Sequence, residues 1–126
     1  MDVTGRKHVV AIVDDDPRML ESLVDLLESG GYDVRGHASA TSLLDSGLNG
    51  IDILVTDITL TGTDGFALRQ LVRLTHPDLP VFLITGQNDA EDDRIRDSEG
   101  FFRKPFDATA LLEAIAKTLQ KRNNGG

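Results

Sequence analysis

Four short apolar runs in this chain of 126 residues each lead to a polar side chain. The runs, each given with the polar residues that follow it, are 9–13 with Asp14 and Asp15, 53–56 with Asp57, 81–84 with Thr85, and 101–102 with Lys104. If these runs are parallel strands of one sheet, their polar ends lie at one edge, where ligands of open α/β sheets bind. Carboxylates, a hydroxyl and an ammonium at one edge suit a divalent cation and a phosphoryl group.

Segments with helical periodicity alternate with these runs, which is typical of a parallel βαβ sheet. The predicted strands cover residues 8–13, 34–38, 53–56, 81–84 and 100–103, with 34–38 as a polar edge strand. Predicted helices begin after Asp16, at Ser42, at Asp64-Gly65 and after Asp107. In the second of these helices Leu43 and Leu44 are predicted to face inward. The third carries the apolar residues Phe66, Leu68, Leu71 and Val72. Asp16 is interpreted as an N-cap rather than a metal ligand, because proline follows it at the first helical position.

The fold class predicted by this pattern is α/β, a flavodoxin-like, doubly wound sandwich with a five-stranded parallel sheet and five helices. The fourth helix, within 87–99, is expected to be short or irregular, because Ala90 and Ile95 are its only apolar side chains among six acidic ones. One domain is predicted over residues 1–122. Residues 123–126 are expected to form a disordered tail or the start of a linker.

The composition narrows the classes of function. A formal net charge of −8 opposes binding to phosphate backbones, so we expect no direct contact with nucleic acid. The chain has no cysteine, which excludes a disulfide framework and is compatible with a reducing cytosol. No stretch is long and apolar enough to span a bilayer, so a cytoplasmic protein without membrane contact is predicted.

Five short motifs follow one another along the chain. They are Ile-Val-Asp14-Asp15-Asp16, Val-Thr-Asp57, Asp64-Gly65, Ile-Thr85-Gly86 and Arg-Lys104-Pro105-Phe106. Each motif alone is weak, but in this order they resemble the receiver domain of two-component response regulators over about residues 9–119. The resemblance implies a phosphorylation switch that takes a phosphoryl group from the phosphohistidine of a sensor kinase.

The resemblance also implies the roles of individual residues. Asp57 would be the phosphoacceptor and the catalytic nucleophile. Mg²⁺ would be held by the carboxylates of Asp14, Asp15 and Asp57 and by the backbone carbonyl of Thr59. Lys104 would pair with Asp57 and then with the phosphoryl group.

Three further positions match residues that receivers use to transmit or time the signal. Thr85 would bind a phosphoryl oxygen through its hydroxyl and act as a switch with the aromatic ring of Phe101. Thr59 and Gln87, two residues beyond Asp57 and Thr85, would tune the lifetime of the phosphate. The domain is not expected to be an enzyme, although it would catalyse its own phosphotransfer and slow dephosphorylation.

The expected partners follow from the same resemblance. They are a sensor histidine kinase or a phosphotransfer protein, together with an output partner or a C-terminal effector domain that is not in this chain. A homodimer that forms on phosphorylation is a further option.

Three other functions stay open at this point. An aspartate-nucleophile phosphatase would need an acid two residues after Asp57, where this chain has Thr59. A docking module that ignores phosphorylation is favoured only by departures from the receiver pattern, such as Thr61 in place of a proline. A nucleotide-binding flavodoxin-like protein would need a glycine-rich loop after the first strand, which is not found.

Overall fold

A parallel sheet with helices on both faces forms the domain. The computed structural model describes residues 7–60, 63–85, 100–103 and 108–124. In chain order the elements are β1 Val9–Val13, α1 Pro17–Ser29, β2 Asp33–His37, α2 Ala40–Ser46, β3 Ile53–Asp57, β4 Thr59–Leu60, β5 Thr63–Asp64, α3 Gly65–Thr75, β6 Val81–Thr85, β7 Gly100–Arg103 and α4 Ala108–Asn124. The main sheet has the order β2-β1-β3-β6-β7, and all its pairings are parallel. The predicted parallel α/β architecture is confirmed.

Two of the three interior strands of the main sheet, β1 and β3, are buried along their whole length. Alternate residues of β1 enter opposite faces of the sheet, so Val10 and Ile12 belong to one core and Ala11 and Val13 to the other. The first core is completed by the inner sides of α1 and α4, and the second by those of α2 and α3. Continuous apolar runs therefore form strands that are covered on both sides.

The starts of α1 and α3 agree with their sequence signals, whereas that of α2 differs. The side chain of Asp16 accepts a hydrogen bond from the amide of Arg18 at 3.0 Å, and proline occupies the first turn of α1. Asp64 caps α3 in the same way, accepting from the amide of Ala67 at 2.8 Å. Ser39 caps α2, which begins two residues earlier than predicted, because Ser39 satisfies the amide of Ser42.

The inward position predicted for Leu44 is wrong, and Leu71 of the third helix is exposed as well. Leu44 is 40% exposed and Leu71 is 48% exposed, whereas Leu43, Leu68 and Val72 are fully buried. Each helix crosses the sheet with a narrow contact stripe, so a leucine beside an inward residue lies at the margin of that stripe.

The structure contains one pair of strands that was not predicted. This short antiparallel pair, β4 and β5, follows Asp57. The last helix, α4, ends at Asn124.

Four helices lie among the described residues, and the predicted helix within 87–99 falls outside them. The division into domain and tail stays a prediction. Within the described part of the chain, no helix has the length and apolar character needed to cross a membrane.

The side chain of Asp52 links β1 and β3 at the amino end of the sheet. Oδ2 of Asp52 accepts a hydrogen bond from the amide of Val9 at 2.7 Å, and the amide of Asp52 donates to the carbonyl of Val9 at 2.9 Å. This reciprocal pair joins the start of β1 to the residue before β3. The two strands are thereby held in register at the end opposite to the acidic residues.

Replacing Asp52 should lower the stability of the domain. We expect Asp52→Ala to reduce the free energy of unfolding by about 1–3 kcal/mol, because the partly buried amide of Val9 loses its acceptor. Urea unfolding followed by circular dichroism measures the change. Asp45→Ala removes an exposed carboxylate from α2 and should alter stability by less than about 0.5 kcal/mol. Equal losses in the two variants would contradict the role of the Asp52 contact.

Candidate functional site

Three carboxylates meet at the carboxyl edge of the main sheet. Oxygen atoms of Asp14, Asp15 and Asp57 all lie within 4.8 Å of one another. Asp14 is 1% exposed and Asp57 is 6% exposed, while Asp15 is open to solvent. The predicted meeting of these three residues is confirmed.

The parallel register of β1 and β3 brings the carboxylates together. Val13 pairs with Thr56, so the residues that follow them, Asp14 and Asp57, lie at the same level along the strands. Both side chains emerge where buried strands end, which explains why they are largely covered. A one-residue shift in this register would turn one of them to the other face of the sheet.

The backbone around Asp14 is tied to its neighbours. Its amide donates to the carbonyl of His37, the last residue of the edge strand β2, at 3.1 Å. Its Oδ1 accepts a hydrogen bond from the amide of Asp16 at 2.9 Å. The loop between β1 and α1 therefore folds back on the carboxylate. The conformation of Asp14 is set by the backbone on both sides of it.

The segment after β3 orients Asp57. The amide of Thr59 donates to Oδ1 of Asp57 at 3.1 Å, and the amide of Ile58 donates to the carbonyl of Ile84 at 2.9 Å. The buried hydroxyl of Thr56 donates to the backbone carbonyl of Asp57 at 3.0 Å. Hydrogen bonds thus constrain both the carboxylate and the peptide group that carries it.

The chemistry of this donor set fits a hard divalent cation. All three side chains offer carboxylate oxygens, the ligand type that Mg²⁺ and Ca²⁺ prefer. Three carboxylates this close repel one another, and the repulsion is stronger where two of them are removed from water. A bound cation would offset that repulsion.

The other predicted site residues are described only in part. Thr59 is exposed beside Asp57, and the metal-binding role of its carbonyl stays a prediction. Thr85 ends β6 directly after Ile84, the residue paired with Asp57, so its backbone reaches the same edge. The backbone of Phe101 lies in β7 opposite Leu83. The side chains of Thr85 and Phe101, and Gln87 and Lys104 entirely, lie outside the described residues.

Sequence reasoning missed residues that contact the backbone around Asp14 and Asp57. His37, Thr56 and Gly65 contact the backbone of Asp14 or of the segment after β3, yet none of them carries an acidic or cationic signal. Gly65 was predicted to begin a helix and belongs to the Asp64-Gly65 motif, but no contact with Asp57 was predicted for it. The contacts join residues that are distant in sequence or involve backbone atoms, which motif spacing does not reveal.

His37 is a titratable neighbour of the site. Its Nδ1 lies 2.8 Å from Oγ of Ser42, and its Nε2 is shielded from solvent with no hydrogen-bond partner among the described residues. Burial, assisted by the positive charge of Arg35, lowers the pKa of His37 below its usual 6.5. The neutral imidazole is therefore the form that the folded protein favours.

The chain is similar to known proteins over most of its length. A family model described as the response regulator receiver domain matches residues 10–116. The C4-dicarboxylate transport transcriptional regulatory protein DctD of Rhizobium meliloti is 35% identical over 118 residues, which cover 90% of this chain and 25% of that protein. The transcriptional regulatory protein FixJ of Azorhizobium caulinodans is 33% identical over 122 residues, covering 93% of this chain and 57% of that protein. This chain therefore spans from a quarter to somewhat over half of the length of these two relatives.

A solved structure shows the same fold. The CheY-like response regulator receiver domain protein of Methanospirillum hungatei superposes with a TM-score of 0.85 at 26% identity. The match covers 96% of this chain and all of the other.

The mutual repulsion of the carboxylates predicts the effect of removing one. In metal-free buffer with EDTA, Asp57→Asn should raise the free energy of unfolding by about 1 kcal/mol or more, because one buried negative charge is lost from the cluster. Urea unfolding measures the change. Asp16→Asn is a matched control, because asparagine also caps helices and Asp16 lies outside the cluster. An increase in the free energy of unfolding of Asp16→Asn as large as that of Asp57→Asn would contradict the prediction.

The lowered pKa of His37 predicts a loss of stability in acid. The unfolded chain binds a proton at the usual pKa of 6.5, whereas the folded chain resists protonation until a lower pH. The contribution of neutral His37 is thus fully present above pH 6.5 and is lost as the pH falls through the lowered folded pKa. Urea unfolding at a series of pH values should show a shallower acid loss in His37→Gln. His76→Gln controls for the removal of a histidine, and a His37→Gln profile identical to that of the parent would refute this assignment.

Proposed function

Because the chain belongs to the response regulator receiver domain family, we propose that Asp57 accepts a phosphoryl group from the phosphohistidine of a sensor kinase. The observation that carries the proposal is the position of Asp57. Its carboxylate ends a buried strand and lies within 4.8 Å of the oxygens of Asp14 and Asp15. The accepted group would then shift the domain to a conformation that a partner or an output domain recognises.

We propose different tasks for the two oxygens of Asp57. Oδ1 accepts the amide of Thr59, which limits rotation of the carboxylate. We assign the attack on phosphorus to Oδ2. The new P–O bond forms as the P–N bond of the phosphohistidine breaks in line, and the electron pair returns to the imidazole nitrogen, which takes up a proton. A carboxylate held in one orientation needs little further ordering at the moment of transfer.

The acidic cluster is proposed to hold Mg²⁺. Asp14, Asp15 and Asp57 would supply carboxylate oxygens, and Thr59 its backbone carbonyl. When bound, the ion would neutralise the charge that builds up as an anionic phosphoryl group approaches anionic side chains. The residues themselves orient the acceptor. They also limit its exposure to solvent, since Asp14 and Asp57 are both buried.

The remaining site residues complete the proposal in the roles that the family resemblance gives them. Lys104 would pair with Asp57 and later with a phosphoryl oxygen. Thr85 and Phe101 would act as the switch, and the backbone course of β6 and β7 brings both strands toward the site edge. Thr59 and Gln87 would set an intermediate phosphate lifetime, because neither supplies a carboxylate or a long cation to the path of the attacking water.

The partners and the output are also proposals. Both relatives described above are named as transcriptional regulatory proteins, and each is longer than this chain. We propose that this receiver likewise controls an output partner or effector domain after phosphorylation by its kinase. It acts as a signalling domain that catalyses its own phosphotransfer and slow dephosphorylation. The cytoplasmic localisation stays a prediction.

Phosphorylation should occur at Asp57 alone and should require Mg²⁺. With acetyl phosphate and Mg²⁺, the protein should gain one phosphoryl group, and Asp57→Asn should gain none, because an amide is a far weaker nucleophile than a carboxylate. EDTA should abolish labelling of the unchanged protein. Intact-mass spectrometry gives the number of groups, and peptide mapping gives the position.

Asp16→Asn provides the matched control for this labelling. It changes the charge of the same acidic run but keeps a helix-capping side chain, so its labelling should equal that of the parent. Full labelling of Asp57→Asn, or of the parent protein in EDTA, would refute the proposed function. Repeated turnover of acetyl phosphate without a stable adduct would instead indicate a phosphatase.

A further inference from the structure

The first helical residue of α3 lies directly against the backbone that carries Asp57. A Cβ atom on Gly65 would be 2.5 Å from the carbonyl oxygen of Asp57 and 2.9 Å from Cα of Ile58. Both are backbone atoms, so neither can turn aside as a side chain can. Gly65 is not among the glycines with positive φ. Space, rather than an unusual backbone conformation, is therefore what requires glycine here.

Hydrogen bonds hold this peptide group and the one that follows it. The amide of Ile58 donates to the carbonyl of Ile84 at 2.9 Å, and the hydroxyl of Thr56 donates to the carbonyl of Asp57 at 3.0 Å. In the next peptide, the carbonyl of Ile58 accepts a hydrogen bond from the amide of Gly65 at 2.7 Å. The peptide between Asp57 and Ile58 is therefore bonded to β6, and the peptide that follows it is bonded to the start of α3.

The position of this peptide determines where the acceptor carboxylate lies. The carboxylate is joined to the peptide by only two single bonds, and its Oδ1 is held by the amide of Thr59, one residue beyond Ile58. A displacement of the peptide would move the carboxylate relative to Asp14 and Asp15, which are attached to a different strand.

We propose that Gly65 is a positioning residue for the phosphoryl acceptor. By letting α3 begin in contact with the Asp57–Ile58 peptide, it sets the separation between the carboxylate of Asp57 and those of Asp14 and Asp15. The inference rests on the proposed function, because it assumes that this cluster binds Mg²⁺ and accepts phosphate. Gly65 touches neither ligand and acts through the backbone of Asp57.

Gly30 offers a matched comparison within the same fold. A Cβ there would lie 3.0 Å from Cδ2 of Leu112, the movable end of a side chain. Gly30 follows α1, at the end of that helix opposite to Asp14 and Asp15. Alanine at Gly30 would thus disturb helix packing without reaching the acidic cluster.

The experiment compares Gly65→Ala and Gly30→Ala in the full chain. Mg²⁺ affinity is measured by isothermal titration calorimetry, and the rate of phosphorylation by acetyl phosphate is measured at saturating Mg²⁺. Both are recorded at a temperature where circular dichroism shows folded protein. Gly65→Ala should weaken Mg²⁺ binding about tenfold, the effect of disturbing a residue that orients metal ligands, and should slow phosphorylation. Gly30→Ala should leave both quantities unchanged even if it unfolds at a lower temperature.

A second variant covers the case in which Gly65→Ala does not fold. Thr56→Val keeps the size of a buried side chain and removes only the hydrogen bond to the Asp57 carbonyl. It should reduce Mg²⁺ affinity in the same direction by a smaller factor. Parental affinity and rate in a folded Gly65→Ala, or in Thr56→Val where Gly65→Ala does not fold, would overturn the positioning role. A parent protein that neither binds Mg²⁺ nor accepts phosphate would overturn the proposed function itself, and this inference with it.

Discussion

The parallel pairing of β1 with β3 is the constraint on which the rest of the site depends. Both strands are buried on both faces, so their backbone groups form hydrogen bonds with each other and with the flanking strands β2 and β6 rather than with water. The pairing delivers Asp14 and Asp57 to the same level at the carboxyl edge. At the amino edge, Asp52 closes the same pair of strands. The pairing of β1 with β3 therefore sets the positions of the acidic side chains, and burial of apolar residues in the core stabilises that pairing.

Placing three carboxylates together opposes folding, and the surrounding contacts overcome that opposition. The apolar strands ahead of Asp14 and Asp57 bury enough surface to keep their ends in place, and backbone amides donate to both side chains. The chain thus keeps a locally unfavourable charge arrangement because global packing enforces it. Such a conflict between a local rule and the fold is characteristic of functional sites.

Much of this arrangement could be predicted from the sequence. Val-rich runs gave the strands, Asp16 and Asp64 gave two helix starts, and the order of polar strand ends gave the acidic cluster. The errors have a common cause. Leu44 and Leu71 satisfy helical spacing, but spacing indicates a face and not how wide its contact with the sheet is. The β4–β5 pair and the approach of Gly65 to Asp57 depend on backbone geometry after the chain turns, which no local preference encodes.

The hydrogen bond from the amide of Asp14 to the carbonyl of His37 connects the acidic cluster to the edge of the sheet. β2 has no partner on its outer side in the described sheet, and none of its side chains is fully buried, so fewer contacts hold it than hold the buried strands β1 and β3. Separation of β2 from β1 would release one side of the Asp14 backbone. By thermodynamic linkage, a ligand that binds more tightly when Asp14 is ordered must stabilise the pairing of β2 with β1 by the same free energy. Occupancy of the site and fraying of an outer strand are in this way two sides of one equilibrium.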